Sequence, residues 1–276
     1  MKTVLITGGA NGLGKGIAMR HLINGDCVIA VGSSSANGNT FYEEAKKIGA
    51  EDRAFYMQAD LGLIKENQRL VEEIKSRFQA LDSIIFCAAK HSQVYTQTEE
   101  GLELTFSLAY LSRFILSYGL KELLERSENP IILNICGSGM KGEVNWEDLQ
   151  FKNNFSAQKV MMHGSRLNDL LGVQFVKNDS VGKIKYIMYN PWAVQTPGMM
   201  KVYSSPMMKF IYKIIGKPID KAVIPVMEVL HYSGKAGLFA YRERKELSLN
   251  HPSYNPQNAE RLFRATSQIL EEFKLK

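Results

Sequence analysis

The chain has 276 residues, 45% hydrophobic and 22% charged, with a formal net charge of +6. That balance belongs to a folded globular protein and excludes a disordered or collagen-like chain. Its lysines and arginines are scattered rather than gathered on one element among aromatics, so the charge favours anionic ligands and no nucleic-acid partner is expected.

The start, MKTVLITGG, carries a short apolar run that meets glycines too early for a signal peptide, and it predicts a first strand. Six more runs follow: CVIAV (27–31), AFYMQA (54–59), SIIFCAA (83–89), IILNIC (131–136), KYIMYN (185–190) and GLFAY (237–241). Near-continuous apolar runs of this length suit parallel strands covered on both faces. Helix candidates lie between them. In KGIAMRHLING, Ile17, His21 and Asn24 fall near one another, with Gly25 as a C-cap. In LIKENQRLVEEIKSRFQ, Leu70, Ile74 and Phe78 keep helical spacing. The alternation predicts an α/β fold, a Rossmann-type doubly wound parallel sheet of about seven strands with helices on both faces. No linker or repeat interrupts residues 1–276, which read as a single dinucleotide-binding and catalytic domain. Cys27, Cys87 and Cys136 are an odd set beside apolar runs, which argues for a reducing compartment and a cytoplasmic location. No run is long enough for stable membrane insertion, and no metal site is expected.

The stretch TVLITGGANGLGKGIA follows the first strand and opens the first helix. Its glycines, Gly8, Gly12 and Gly14, have the spacing TGxxxGxG. Glycines there let the backbone approach a pyrophosphate, and the helix start offers free N–H groups and a positive dipole end. Strand two ends in AVGSSSANGN. It lacks the Asp or Glu that would hold a ribose 2′-hydroxyl, and Ser33, Ser34 and Ser35 are small donors suited to a 2′-phosphate. NADP(H) is therefore expected over NAD(H).

With QADLG (58–62), IIFCAA (84–89), NPWAVQT (190–196) and the tail NAERLFRATSQILEEF, the chain resembles the short-chain dehydrogenase/reductase family, in its retinol-dehydrogenase-like branch, over nearly its whole length. The resemblance implies a cofactor held by Gly8, Asn11, Gly12, Leu13 and Gly14, by Ser33 and Ser34, by Asp60 and Leu61 near the adenine, and by Ala88. It implies a nicotinamide held by Pro191, Val194 and Thr196. In the cofactor segments three positions depart from the family: Cys87 replaces an asparagine, Trp192 a glycine, and Ser33 the branch's arginine.

The resemblance also implies a catalytic tyrosine, lysine, serine and asparagine. The asparagine position is Ala109; Arg113, one turn on, either faces the same side or, as preferred, is a solvated surface arginine. The serine positions hold Cys136 and Gly137, with Ser138 next, either over the nicotinamide or an ordinary loop serine. Two registers compete in SAQKVMMHGSRLND (156–169). One pairs Phe155 with Lys159; the other, preferred for its shorter arm to Pro191, pairs Met162 with Arg166. Neither Phe nor Met can donate a proton. Lys159, His163 and Arg166 are spaced i, i+4, i+7 along one helical face. One reading has Arg166 or Lys159 holding the ribose and His163 as the acid, its pKa depressed by the two cations. The other sets His163 on a face packed against a partner subunit. Two further YxxxK matches, Tyr42–Lys46 and Tyr241–Lys245, are chance.

Residues 197–230, at the family's lid position, are rich in Met, Tyr, Phe and Ile, which favours an apolar small-molecule substrate. Within them MMKFIYKIIGK is basic and amphipathic, either touching a membrane surface or packing as a helix on the domain. The expected function is an oxidoreductase acting on the carbonyl or alcohol of an apolar molecule with an altered proton donor, in a homo-oligomer as the resemblance implies. The alternatives are a dinucleotide-binding protein without dehydrogenase activity, or a lyase, dehydratase or isomerase on the same fold.

Overall fold

The computed structural model describes residues 1–90, 92–196, 207, 212, 214–231 and 235–274. Most of the expected lid, 197–206, 208–211 and 213, lies outside the described residues.

Eight strands form one sheet in the order β3-β2-β1-β4-β5-β6-β7-β8. They are β1 (Thr3–Thr7), β2 (Cys27–Gly32), β3 (Ala54–Gln58), β4 (Ser83–Phe86), β5 (Ile131–Ile135), β6 (Lys185–Asn190), β7 (Gly237–Arg242) and β8 (Lys245–Glu246). All pairs are parallel except β7 with β8. The seven expected strands are present; β8 is an addition, too short to show a period. From β1 the chain steps outward through β2 and β3, then crosses back to β4. The strand order therefore reverses beside β1, and its carboxyl end is the crevice where open α/β sheets bind ligands.

Both faces of the sheet are covered, which explains the apolar runs. In β1, Leu5 enters one core while Val4 and Ile6 enter the other. Helices α1 (Gly12–Ile23), α2 (Ser35–Lys47) and α8 (Ile219–Leu230) supply Ile17, Phe41 and Val226 to the second core. Gly25, at φ +86°, follows the end of α1 as the expected C-cap glycine. On the other face lie α3 (Ile64–Arg77), α5 (Ser112–Gly119) and α7 (Ala157–Lys177), with α6 (Lys121–Glu125) at the edge. Leading into α5, a single turn α4 (Leu104–Phe106) passes into a π-helical turn, Ser107–Leu111. Helix α9 (Pro256–Lys274) follows a 3₁₀ turn, Pro252–Tyr254, and closes this face. Its Phe263 ring lies 5.5 Å from those of Phe114 and Tyr118, and Thr266 meets the buried Tyr110 hydroxyl at 2.6 Å. No helix among the described residues is long and apolar enough to cross a membrane.

Candidate active site

The loop from β1 to α1 is bound to the ends of β2 and β4. Gly8 and Gly9 donate their N–H groups to the Val31 carbonyl at 2.7 and 3.3 Å. The Thr7 hydroxyl oxygen accepts from the N–H groups of Cys87 and Ala88 at 3.2 Å. Gly8 has φ +67°, and a Cβ there would come within 3.0 Å of the Ala88 nitrogen. A Cβ at Gly14 would strike the Gly8 carbonyl oxygen and come within 3.1 Å of the Cys87 Cβ. These two glycines are there for close packing. Gly12 differs. It has φ +53°, and among the described residues a Cβ would meet only Thr196, in ordinary contact at 3.7 Å. Backbone conformation, not crowding, asks for glycine at the start of α1. Asn11 caps this helix, its side-chain oxygen accepting from the Gly12 N–H at 2.7 Å, and no acidic residue sits in the first turn. An open helix start of this kind fits a dinucleotide's pyrophosphate. Leu13 turns its side chain into the core.

At the end of β2, Ser33 is exposed and Ser34 caps α2, its hydroxyl oxygen accepting from the Asn37 N–H at 3.3 Å. The first turn of α2 also lacks an acidic residue. The Tyr56 hydroxyl lies 2.8 and 2.7 Å from the carbonyls of Gly32 and Ser34, which fixes this corner. Asp60 is exposed and accepts from the Gly62 N–H at 2.9 Å, while Leu61 is buried.

The segment after β6 is held by a short bridge. Val194 pairs with Lys217, and Gln195 and Lys217 exchange backbone bonds with Lys217 and Ala193 at 2.9 Å. This sets Thr196 beside Gly12. Pro191 precedes Trp192, which has φ +60° and is 55% exposed. The Arg242 guanidinium stands 5.3 Å from the Trp192 ring centre and donates to the Gly139 carbonyl at 3.2 Å.

Beneath the ends of β4 and β5 sits Arg113, which is 3% exposed and so is not the surface arginine expected. Its partners are neutral: Asn134, the carbonyls of Ile135 (2.9 Å) and Ala88 (3.2 Å), and Asn168 (3.4 Å). Burial lowers its pKa, and no carboxylate contributes to its environment. Asn168 ties the cluster together. Its oxygen accepts from Asn134 at 2.9 Å, and its amide donates to the carbonyls of Ala109 (2.9 Å) and Gly164 (2.8 Å). Where the resemblance places an asparagine side chain, this protein presents the Ala109 carbonyl in a π turn, answered by an asparagine from α7. Cys87 and Cys136 flank Arg113, and burial pushes both thiols up to about 12, which keeps them neutral.

On α7 the expected basic stripe divides. Lys159 is exposed, whereas His163 and Arg166 are buried with separate partners. Arg166 donates to the carbonyls of Met140 and of Gly137 (3.1 Å) and pairs with Asp169 at 2.7 Å. The Ser138 hydroxyl, 0% exposed, donates to Asp169 at 2.8 Å and lies 2.9 Å from the Tyr254 hydroxyl. Burial pushes the Asp169 carboxyl up to about 7, against the pull of Arg166 and Ser138. His163 Nδ1 accepts from the Asn145 N–H at 3.2 Å, and Nε2 lies 3.1 Å from the Leu149 carbonyl. Only a neutral ring protonated on Nε2 satisfies both. The His163 pKa is lowered as expected, but the cause is burial and not neighbouring cations. The loop so held lies on α7: a Cβ at Gly142 would come within 3.1 Å of the Met162 Cβ. Phe155 precedes α7, so Met162 and Arg166 are the pair carried one turn apart on the helix.

Sequence reasoning missed Asn134, Asn168, Asp169 and Tyr254. A signal was present for the first three. Asn134 interrupts an apolar strand, and Asn168 and Asp169 sit between leucines on α7, where polar residues need buried partners.

A family model for short chain dehydrogenase matches residues 2–164. The chain is 24% identical over 240 residues to Oxidoreductase AN1596 of Emericella nidulans, covering 86% of this chain and 70% of that one. It is 23% identical over 283 residues to human dehydrogenase/reductase SDR family member 12, covering 99% and 87%. Two other curated relatives are matched over only 33% and 53% of their own length. Among solved structures, salutaridine reductase from Papaver somniferum superposes with a TM-score of 0.67 at 16% identity, covering 87% of this chain and 99% of that one, a likeness of fold.

Proposed function

The protein belongs to the short-chain dehydrogenase/reductase family, and from that premise we propose that it is an NADP(H)-dependent oxidoreductase acting on the carbonyl or alcohol of an apolar small molecule. The observation that carries the proposal is the start of α1 at Gly12, uncrowded among the described residues, free of acidic side chains and bordered by Thr196. Preference for the 2′-phosphate is supported by the end of β2, where an exposed serine enters a helix start free of carboxylates.

When bound, the cofactor supplies or accepts hydride. The chain's own residues seat it and shape the site around it. Gly8, Asn11, Gly12 and Gly14 form the phosphate loop, Ala88 borders it, Asp60 lies toward the adenine, and Pro191, Val194 and Thr196 hold the amide end. Lys159, exposed on the first turn of α7, is the basic residue proposed for the ribose. Ser138 and His163, the candidates for proton chemistry, and Arg166, the other candidate for the ribose, make their hydrogen bonds inside the protein. They are assigned to positioning the loop after β5, so the proton comes from water or from the substrate. Residues 197–230 are proposed as the lid, the setting as cytoplasmic, and any homo-oligomer as using surfaces other than the α5–α7 face, which α9 covers.

A second reading, dinucleotide binding without turnover, is favoured by one observation: Met162 lies under the loop that carries Gly142. Calorimetry with NADP and NAD, alongside NADPH consumption on a panel of apolar ketones and aldehydes, separates the two. The first reading expects tighter binding of NADP and turnover of at least one compound. NADP binding with no turnover across the panel overturns it in favour of the second, and tighter binding of NAD overturns the cofactor preference.

A further inference from the structure

We propose that Trp192 is a platform on which the planar part of the substrate stacks, and so a specificity-determining residue of the site; this rests on the oxidoreductase reading above. The backbone supplies the first argument. At φ +60° any side chain crowds its own main chain, so a non-glycine residue in this region carries a backbone cost. The fold recovers little of that cost from the indole, since Trp192 is 55% exposed. A large aromatic ring kept in a glycine's conformation, with half its surface in solvent, points to a task outside the core.

Its location supplies the second argument. Trp192 stands at the carboxyl end of β6, in the segment that carries Thr196 to Gly12. Its ring stands against Arg242 at the end of β7, on the carboxyl edge of the sheet. Its placement is also fixed in advance. The Trp192 N–H donates to the Asn190 side-chain oxygen at 2.9 Å, and the Asn190 amide donates to the Ser138 carbonyl at 3.1 Å. Arg242 covers part of the ring and is itself tied to Gly139. An indole held at backbone and ring needs little ordering when a ligand arrives.

The third argument is chemical. A flat π surface gains most from a flat, polarisable partner, in an offset or edge-on arrangement, beyond what apolar area alone provides. The substrate class that fits is a carbonyl or alcohol attached to a planar conjugated or aromatic system, in preference to a saturated one of equal carbon count.

The test compares 2-naphthaldehyde with decahydro-2-naphthaldehyde, which have the same skeleton and differ in planarity. Both are titrated by calorimetry into the NADP-loaded wild type, Trp192→Gly and Trp192→Phe proteins. The expected result is tighter binding of the planar aldehyde by the wild type, weakened about tenfold by Trp192→Gly and largely retained by Trp192→Phe. The saturated aldehyde and NADP itself should bind all three proteins alike. Glycine suits the backbone at this position, so Trp192→Gly should melt higher than the wild type, which shows that lost binding is not lost folding. Equal binding of the two aldehydes by the wild type, or an equal loss of both in Trp192→Gly, overturns the proposal. A wild type that turns over apolar carbonyls with NADPH but shows either result sinks the platform alone; one that binds NADP without any turnover sinks the oxidoreductase reading.

Discussion

Along the carboxyl edge of the sheet, the stretch over β1 and β2 is open and built from backbone, whereas the stretch over β5 and α7 is filled and built from side chains. Near β1 the tools are missing Cβ atoms, a capped helix start and carbonyls tied to neighbouring strands. Near β5 they are two buried sets of side chains, Arg113 with Asn134 and Asn168, and Asp169 with Arg166 and Ser138. The difference follows from what each task demands. Seating a phosphate asks for N–H groups and room, which any chain with glycines in the right places provides. Moving a proton asks for one titratable side chain in reach of the substrate. A chain can therefore keep the first function intact while its second is rebuilt into a packed polar core.

The sharpest way to break this contrast is Gly14→Ala. The new methyl has nowhere to go, because the atom it meets is the Gly8 backbone oxygen. A loss of about 4 kcal/mol in urea unfolding is expected, together with loss of NADP binding. A variant of near wild-type stability would show that the open half is not backbone-limited.

Arg113→Met tests the filled half. It takes the arginine donor from the Asn134 oxygen and from two carbonyls, while Asn168 keeps its bond from Asn134, and a loss of about 3 kcal/mol is expected. NADP affinity, measured on the protein that remains folded, should fall far less than in Gly14→Ala. If affinity drops as steeply as stability, Arg113 belongs with the cofactor seat and the division is misdrawn.

The smallest expected effect lies in pH. Burial holds the His163 pKa below its ordinary 6.5, so the unfolded chain takes up the proton first. Stability from this residue is present above pH 6.5 and is lost as pH falls through the lower folded value. Protonation also removes the acceptor for the Asn145 N–H. His163→Gln cannot titrate and should flatten the acid limb of a melting-temperature profile between pH 7 and 5. An unchanged limb would assign the acid sensitivity elsewhere.

The open half was far more legible in the sequence than the filled one. Strands β1, β2 and β6 begin at the first residues of their apolar runs, because burial on both faces leaves an uninterrupted apolar signature. Gly8, Gly12 and Gly14 stood out because only glycine serves there. The fate of the α7 stripe did not show. Helical spacing brought Lys159, His163 and Arg166 to one face, but it says nothing of where a long side chain ends. Arg166 and His163 both reach the loop after β5, Arg166 at Gly137 and His163 at Asn145 and Leu149, whereas Lys159 stays exposed. Residues 137–155 have no period to read, so their descent onto α7 is a tertiary event. Arg113 looked like a surface residue because its acceptors, two asparagines and two carbonyls, come from segments far away in the chain.

The hydroxyl contact between Ser138 and Tyr254 spans 116 residues and gives the protein a clock. A ribosome adding about 5–20 residues per second needs roughly ten seconds to pass from one to the other. During that interval β1, β2 and β3 can already pair with one another, whereas α8, which shares their second core through Val226, is unmade for most of it. The β5 loop and α7 meanwhile hold Asp169 and Ser138 ready for a tyrosine not yet made. The first strands of this protein can thus pair well before either half of the carboxyl edge is complete.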